Sequence, residues 1–402
     1  MPSMTETQPL TPTGHPMEMP IRLGMLSTFR SRKGFVWLDS SLRVPGDMSL
    51  TASDPDLIIE GGASEWHLLE KELEARKRSP IDSGGKPDGA AIGYFRFDGS
   101  FRFAFYDQLH LEMNASLVES DSSPWPSLDF QAETGREEYL QNVRRALEYI
   151  AAGDIYQVCL SHRFSTSFQG DPWPLYIALR KASPAPHAAY LTLEDETILS
   201  SSPECFLKMS GRTISTRPIK GTRPRRQATA EDEREAQELQ SSPKEIAELI
   251  MITDLERNDL GSVCEYGSVC APRLAELERY AQVFHLVSTV EGNLREGVSQ
   301  VAAVAACFPG GSISGAPKKR ALEIISELEP TPRGLFTGAI GYFGYNGESQ
   351  FSIAIRTIVI RDGEASFHVG AGITADSDPE REWEETLHKA AGILMAAKAV
   401  NK

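Results

Sequence analysis

The sequence lacks several features that would assign it to a specialised class. Its five cysteines are odd in number and form no C-x-x-C pair, so they indicate neither a disulfide framework nor a zinc site. No apolar run is long enough to span a bilayer, and residues 1–20 have no basic segment followed by an apolar one. A net charge of −15 argues against nucleic acid or an anionic membrane surface as the main partner. We therefore expect a soluble cytoplasmic protein with no nucleic-acid and no membrane partner.

The 402 residues leave room for one large or two moderate domains. Residues 1–20, rich in Thr, Pro and Met, are expected to form a disordered tail. Short alternating segments in 21–112 predict an N-terminal β-rich part, with one helix near 65–76. Residues 113–135 contain Ser-Asp-Ser-Ser-Pro-Trp-Pro and little periodicity, which is typical of a linker. Residues 136–402 would then form the main functional region.

Strands and helices come in mixed runs in this last region. Helical spacing or helix-start signals predict helices at 137–152, 243–255, 316–327 and 379–399. Strands are predicted at 158–164, 188–193, 197–200, 213–216, 338–344, 349–360 and 365–369. Because the two element types do not strictly alternate, the pattern favours an α+β fold with large antiparallel sheets over a parallel doubly wound fold.

The most informative segment is a basic one, Arg217-Pro218-Ile219-Lys220-Gly221-Thr222-Arg223-Pro224-Arg225. Its prolines and glycine restrict the backbone and indicate a stiff turn that presents Lys220. If the three arginines lie close to Lys220, repulsion lowers the pKa of its amine and leaves more of the nucleophilic form at pH 7. The same arginines would hold an anionic substrate. The alternative is a solvated basic turn at the end of a strand.

Two predicted helices begin with glutamates three residues apart, Glu245 with Glu248 and Glu382 with Glu385. Residues at this spacing share a helical face, and four facing carboxylates would repel each other unless a hard cation such as Mg²⁺ lay among them. The alternative is structural, because Ser242 and Glu245 match a capping box and Glu385 could pair with Lys389. Glu248 lies in an apolar segment, which favours a partner for its carboxylate.

Other residues are candidates on weaker grounds. The glycine-rich segment 310–317 runs into a predicted helix and suits an anion, although it does not match a Walker motif and a plain turn is as good an interpretation. His285 could be a general acid or base, or a packed core histidine. Glu204 stands at a strand end. Arg356 lies in the middle of a predicted apolar strand, where burial of its charge requires a carboxylate or a ligand.

Together these segments resemble the chorismate-utilising enzymes over nearly all of residues 137–389. Seven motifs in order carry the resemblance: Gly153-Asp154-Ile155-Tyr156-Gln157, Ser202-Pro203-Glu204, 218–224, Asp254-Leu255-Glu256-Arg257-Asn258-Asp259-Leu260-Gly261, His285-Leu286-Val287-Ser288, 308–317 and Asp376-Ser377-Asp378-Pro379-Glu380. The resemblance implies an α+β sandwich of two large antiparallel sheets with outer helices. It also implies chorismate, a ring with two carboxylates, as the substrate.

The resemblance further implies a site in which Mg²⁺ bridges a ring carboxylate to Glu248 and Glu385, with Glu245 and Glu382 supporting them. Glu204 and His285 would serve as acid and base. The implied substrate-binding residues are Ser312, Thr222, Arg356, Gly370, Gly372 and Lys389. Lys220 indicates the branch of the family, because anthranilate synthases and isochorismate-type enzymes generally have alanine here, whereas aminodeoxychorismate synthases have lysine. In that branch the lysine is a covalent nucleophile, and the product leads to p-aminobenzoate and folate.

Two positions depart from the family pattern, Leu249 and Phe336, where relatives often have a polar residue and Tyr or Trp. No Gly-x-Cys-x-Gly glutaminase elbow occurs, so ammonia would be free or come from a separate glutamine amidotransferase subunit. The main alternative is an anthranilate synthase component I or isochorismate-type enzyme. A non-catalytic chorismate-binding subunit is disfavoured because all four glutamates are present.

Overall fold

The computed structural model describes residues 23–42, 48–79, 85–113, 127–280 and 283–398. The predicted tail at 1–20 and most of the predicted linker lie outside these residues. The helices are α1 Leu23–Arg30, α2 Trp66–Ala75, α3 Arg136–Ala151, α4 Trp173–Ala182, α5 Thr229–Gln240, α6 Pro243–Gly261, α7 Gln300–Cys307, α8 Lys318–Leu328 and α9 Pro379–Lys398. Within the described ranges, no helix combines the length and apolar character needed to cross a membrane.

Twenty strands within the described ranges form two antiparallel sheets. The strands are β1 Val36–Asp39, β2 Met48–Ala52, β3 Leu57–Gly61, β4 Ala90–Phe95, β5 Phe101–Tyr106, β6 His110–Met113, β7 Gln131–Ala132, β8 Gln157–Ser167, β9 His187–Leu193, β10 Glu196–Ser202, β11 Cys205–Ser210, β12 Thr213–Arg217, β13 Ile219–Pro224, β14 Cys270–Arg279, β15 Val283–Asn293, β16 Gly315–Ala316, β17 Ala339–Gly344, β18 Glu348–Ile353, β19 Thr357–Arg361 and β20 Glu364–Ile373.

The first sheet has the order β16-β8-β20-β19-β10-β9-β1-β2-β6, with β7 also paired to β8. The second has the order β13-β15-β12-β11-β18-β17-β4-β5-β3, with β14 also paired to β15. Strands that precede residue 114 pair with later strands in both sheets, β1 with β9 in the first and β4 with β17 in the second. The N-terminal part is therefore built into the sandwich.

Side chains alternate between the two faces of each strand. They form a hydrophobic core between the sheets and a further apolar layer on the outer face of each sheet. On β4, Ile92 and Tyr94 belong to the core between the sheets, whereas Ala91 and Phe95 face the opposite side. Helices α2 and α7 pack on that outer side of the second sheet, and α3, α4, α8 and α9 cover the first sheet. The predicted α+β sandwich with outer helices is thus confirmed.

One predicted strand, 349–360, is two strands in different sheets. β18 belongs to the second sheet and β19 to the first. The chain crosses between them at Arg356, whose φ of +50° is incompatible with a continuous strand. Arg356 therefore lies between two strands rather than in the middle of one.

Candidate active site

The candidate residues gather where the edges of the two sheets meet. Lys220 lies on β13 at the edge of the second sheet, and Gly372 lies on β20 near the edge of the first. A Cβ added to Gly372 would be 3.9 Å from the Lys220 Nζ and 3.0 Å from the Gln157 Nε2. The amine of Lys220 therefore reaches across from one sheet to the other, and the absence of a side chain at Gly372 leaves room for the Gln157 amide beside it.

The segment that carries Lys220 is a strand, and the prediction of a stiff turn was wrong. β13 pairs with β15, and a bulge falls between Lys220 and Thr222. Gly221 makes the bulge possible, because its φ is +69° and a Cβ there would be 2.7 Å from the Leu239 Cδ1 and 3.0 Å from the Glu245 Oε2. Bulges of this kind redirect a side chain away from the regular strand direction.

The three arginines around Lys220 each have a carboxylate partner. Arg217 pairs with Glu278, Arg225 with Asp232 at 2.8 Å, and Arg223 lies 3.8 Å from Glu245. These arginines are thus paired cations at the ends of the segment, which differs from the cluster of unpaired charges that the sequence suggested.

Glu204 is the buried carboxyl of the site. Its Oε1 accepts a hydrogen bond of 2.7 Å from the Ser312 hydroxyl, and it is 8% exposed. Burial raises its pKa above the ordinary value, although Ser312 and the charges of Lys220, Lys389 and Arg356 act in the opposite direction. A carboxyl with a raised pKa that faces three cations can hold a proton and release it to a leaving group.

His285 lies on β15 opposite Thr222, and its Nδ1 is 3.0 Å from the Thr222 Oγ1. Burial, followed by the charge of Arg356, lowers the pKa of His285 to about 4. The imidazole is therefore neutral at pH 7, which allows it to accept a proton but leaves it without one to donate as an imidazolium. Thr222 fixes the ring by this contact.

Arg356 is half-buried, and among the described residues it forms no ion pair. Burial lowers its pKa, while the negative charge of Glu204 raises it. A half-buried guanidinium without an ion pair is a site for an anion. Its unusual φ is the kind of backbone conformation that persists where the surrounding structure over-determines it.

Lys389 is a second cation at the site, on α9. Its Nζ donates a hydrogen bond of 2.9 Å to the Gly370 carbonyl and forms an ion pair of 2.7 Å with Glu385. The structural alternative considered for Glu385 is therefore present. Burial alone would raise the pKa of Glu385, but Lys389 and the other lysines nearby bring it below the ordinary value.

The four glutamates lie near one another on α6 and α9. Burial, followed by the like charges of Glu245 and Glu385, raises the pKa of Glu248, and burial raises that of Glu382. Lys244 lies 3.9 Å from Glu248, which is 23% exposed. Glu248 is thus only half-buried.

In the part of the chain that the structure describes, no group of three or more His, Cys, Asp or Glu side chains is placed to hold a metal ion. Two neighbouring carboxylates still suit Mg²⁺, which commonly takes one or two protein carboxylates and completes its shell with water or substrate oxygens. Glu248 and Glu385 fit that limited role.

Two buried polar residues of the site, Gln157 and Glu256, were not predicted as site residues from the sequence. Gln157 is buried, and neither polar atom of its side chain has a hydrogen-bond partner among the described residues. Glu256 is 3% exposed and accepts a hydrogen bond of 3.2 Å from the Gly311 amide. A polar residue at the start of a buried strand, as at Gln157, is the signal that could have identified the first. Helical periodicity alone did not mark Glu256 as buried.

Comparison with known proteins confirms the family resemblance that the sequence motifs predicted. A family model described as chorismate binding enzyme matches residues 106–395. Anthranilate synthase component 1 of Thermus thermophilus is 49% identical over 269 residues, which cover 67% of this chain and 58% of the relative. Aminodeoxychorismate synthase component 1 of Bacillus subtilis is 44% identical over 290 residues, which cover 72% of this chain and 62% of the relative. The chain thus spans less than two thirds of the length of these relatives.

Solved structures share the fold. Anthranilate synthase component I from Streptococcus pneumoniae superposes with a TM-score of 0.77 at 27% identity, covering 87% of this chain and 93% of that one. The menaquinone-specific isochorismate synthase of Escherichia coli gives a TM-score of 0.74 at 18% identity, covering 94% of this chain and 93% of that one. At that identity the second likeness concerns the fold alone.

Proposed function

We propose, from the premise that this chain belongs to the chorismate-binding enzyme family, that it converts chorismate and ammonia to 4-amino-4-deoxychorismate. The observation that carries the proposal is the position of Lys220, whose Nζ reaches across the sheet junction to 3.9 Å from where a Cβ of Gly372 would lie. The charge of Lys220 acts on the buried carboxyl of Glu204, together with the charges of Lys389 and Arg356. An amine in this position is placed to act as a nucleophile on a bound anionic ring. Relatives of both the aminodeoxychorismate and the anthranilate type support the family-level statement.

In the proposed reaction the Lys220 amine forms a bond to C2 of chorismate while the C4–O bond breaks. Glu204 gives its proton to the departing hydroxyl, which leaves as water. Ammonia then bonds to C4, the C2–N bond breaks, and Lys220 is released as the free amine. Glu204 regains a proton from solvent, and His285, neutral at pH 7, accepts a hydrogen bond near the leaving group.

Substrate binding is assigned to the cations and small groups around these atoms. Arg356 and Lys389 would hold the carboxylates, and Gly370 and Gly372 would lie beside the ring, while Ser312 and Thr222 orient Glu204 and His285. Glu248 and Glu385, supported by Glu245 and Glu382, would hold Mg²⁺. When bound, the ion would offset the charge of a substrate carboxylate and orient the ring.

Ammonia is proposed to come from a separate glutamine amidotransferase subunit. The relatives above carry the name component 1, which implies a further component in those proteins. The sequence contains no Gly-x-Cys-x-Gly elbow of its own.

Anthranilate formation is the second candidate, because the identity to the Thermus thermophilus anthranilate synthase component 1 is 49% against 44% to the aminodeoxychorismate relative. That reaction would place the amine at C2 and eliminate pyruvate. Lys220 argues against it, because its amine occupies the position from which ammonia would reach C2.

The deciding experiment is incubation with chorismate, Mg²⁺ and ammonium, followed by product identification by mass and by conversion with a lyase. Anthranilate as the sole product would reject the proposal.

A further inference from the structure

One carboxylate on β14 connects the end of the strand that precedes Lys220 with the ring that packs on His285. Glu278 accepts a hydrogen bond from the Arg217 guanidinium on one oxygen and a hydrogen bond of 2.5 Å from the Tyr280 hydroxyl on the other. Arg217 is the last residue of β12 and stands three residues before Lys220. We call Arg217, Glu278 and Tyr280 the Glu278 bridge.

The Glu278 bridge reaches His285 by two routes. Glu278 is the register partner of His285 in the β14–β15 pair, and Thr222 is its partner in the β13–β15 pair. The Tyr280 ring stands edge-on to the imidazole, with the ring centroids 5.6 Å apart. His285 is therefore flanked on one side by Thr222, which follows Lys220 by two residues. On the other side it is flanked by the Glu278 bridge, which includes Arg217, the first residue of the Lys220 segment.

The charge of Glu278 also acts on the site. It raises the pKa of His285, opposing the larger lowering by burial and by Arg356. An isolated ion pair at this exposure contributes little to stability, since the Arg217 side chain is 39% exposed. Glu278 has a different role, because one of its oxygens binds Arg217 at the end of β12 and the other binds Tyr280 just past the end of β14, so that it fixes the end of β12 relative to the Tyr280 ring.

We propose that Glu278 is a positioning residue that sets the distance between the Lys220 amine and the His285 ring through Arg217 and Tyr280. The inference rests on the proposed function, in which both side chains act on one bound ring. Displacement of reacting groups by a fraction of an ångström to an ångström lowers the rate of the chemical step without weakening substrate binding. Arg356 and Lys389, the proposed carboxylate-binding cations, make no hydrogen bond or ion pair to the bridge within the described residues.

The test compares Glu278→Gln with Glu233→Gln in the full chain. Glu233 also forms an ion pair with a residue of β14, Arg279, at 3.3 Å, but among the described residues it makes no hydrogen bond or ion pair with the Lys220 segment, so it is a matched control. We expect Glu278→Gln to lower kcat about tenfold while KM for chorismate stays within about twofold. Glu233→Gln should keep both constants. Equal kcat values for the two variants would overturn the proposal, and so would a loss confined to KM.

A double-mutant cycle tests the route through Arg217. If Glu278 acts through Arg217, the Arg217→Ala/Glu278→Gln double variant should be no slower than the slower single variant. The reason is that neither Arg217 nor Glu278 can position the site without the other. Losses that multiply would overturn that route. Tyr280→Phe keeps the ring and removes only the hydroxyl, so it provides a mild variant if Glu278→Gln unfolds. It should show a smaller loss of kcat at unchanged KM, and an unchanged kcat would count against the bridge.

The comparison of kcat and KM tests the role of Glu278 separately from the proposed function. If the parent chain forms anthranilate instead of 4-amino-4-deoxychorismate, the proposed function fails, and the same comparison of kcat and KM on the anthranilate product still decides the role of Glu278.

Discussion

The hydroxyl of Ser312 donates a hydrogen bond of 2.7 Å to the carboxylate of Glu204. This contact joins the glycine-rich segment to the proposed acid of the reaction. Burial raises the pKa of Glu204, and the Ser312 hydroxyl is the largest of the influences that lower it again. The serine therefore keeps the pKa from rising so far that the proton would not be released.

Ser312→Ala should raise the pKa of Glu204 further, because the anion loses its donor. If Glu204 must be protonated to act, the alkaline limb of the pH–rate profile moves to higher pH by roughly one unit. The matched control is Ser314→Ala, whose hydroxyl binds the Gly310 carbonyl at 2.8 Å in the same segment. An alkaline limb that stays in place in Ser312→Ala would show that another group sets it.

Glu256→Gln should stabilise the protein at pH 8 and have little effect near pH 4.5. Burial, followed by the charge of Asp259, raises the pKa of Glu256 to about 8 from an ordinary value of 4.5. Between these pH values the folded state keeps a proton that the unfolded chain has released, so the free energy of unfolding falls as the pH rises. Glutamine keeps an acceptor for the Gly311 amide and does not titrate.

We expect the gain in the free energy of unfolding to be on the order of a few kcal/mol at pH 8. Urea unfolding of parent and variant at pH 4.5, 6 and 8 measures it. A difference that is the same at all three pH values would mean that Glu256 does not titrate in this range.

Local patterns were sufficient for several elements. The apolar spacing of 137–152 predicted a helix that the structure places at Arg136–Ala151. Strands such as the predicted 188–193 were found with nearly the same bounds because one face of each is buried. The family resemblance, rather than periodicity, carried the arrangement of the two sheets.

Long-range pairing explains what the sequence did not show. The segment 349–360 is rich in apolar and β-branched residues, and nothing in its periodicity marks the crossing at Arg356 from one sheet to the other. Lys220 appeared to lie in a turn because of its prolines and glycine, yet pairing with β15 makes the segment a strand. The partner of Arg217 is Glu278, 61 residues further along, so the ion pair could not be inferred from neighbouring residues.

Removal of Mg²⁺ is expected to abolish turnover. Glu248→Ala or Glu385→Ala should do the same with the fold intact, because each removes a carboxylate proposed to bind the ion. Asp254→Asn is a suitable control on the same helix, since its ion pair with Arg257 is exposed. Activity is measured against the Mg²⁺ concentration, and thermal unfolding checks the fold. Full turnover by verified metal-free protein in EDTA would reject the magnesium assignment.

Glutamine should support turnover only when an amidotransferase subunit is added, because the sequence contains no nucleophile elbow for amide hydrolysis. Ammonium salts should support turnover by the chain alone, and the rate should rise with pH as the fraction present as NH₃ increases. Product formation is followed with each nitrogen source, with and without the added subunit. Glutamine-dependent turnover by the chain free of any such subunit would reveal a glutaminase activity of its own.

Lys220→Ala should lower 4-amino-4-deoxychorismate formation by about 10³-fold or more, because it removes the proposed nucleophile. When the parent protein is given chorismate and Mg²⁺ without ammonia, a covalent adduct should accumulate on the peptide that contains Pro218 to Thr222, and the variant should show none. Intact-protein and peptide mass spectrometry detect the adduct. Lys244→Ala is a useful labelling control, since this lysine is 58% exposed and lies at the rim of the same site.

The Lys220→Ala variant also shows whether Lys220 is a nucleophile or only a cation that binds the substrate. Loss of a cation that only holds a carboxylate would raise KM and leave the product unchanged. Loss of the nucleophile leaves Arg356 and Lys389 to bind chorismate, so ammonia could enter the space that the lysine occupied and attack C2 directly. We therefore expect the residual product of Lys220→Ala to include the 2-amino isomer and some anthranilate. A variant that makes 4-amino-4-deoxychorismate at the parent rate would leave Lys220 as one more basic residue in an anion-binding site.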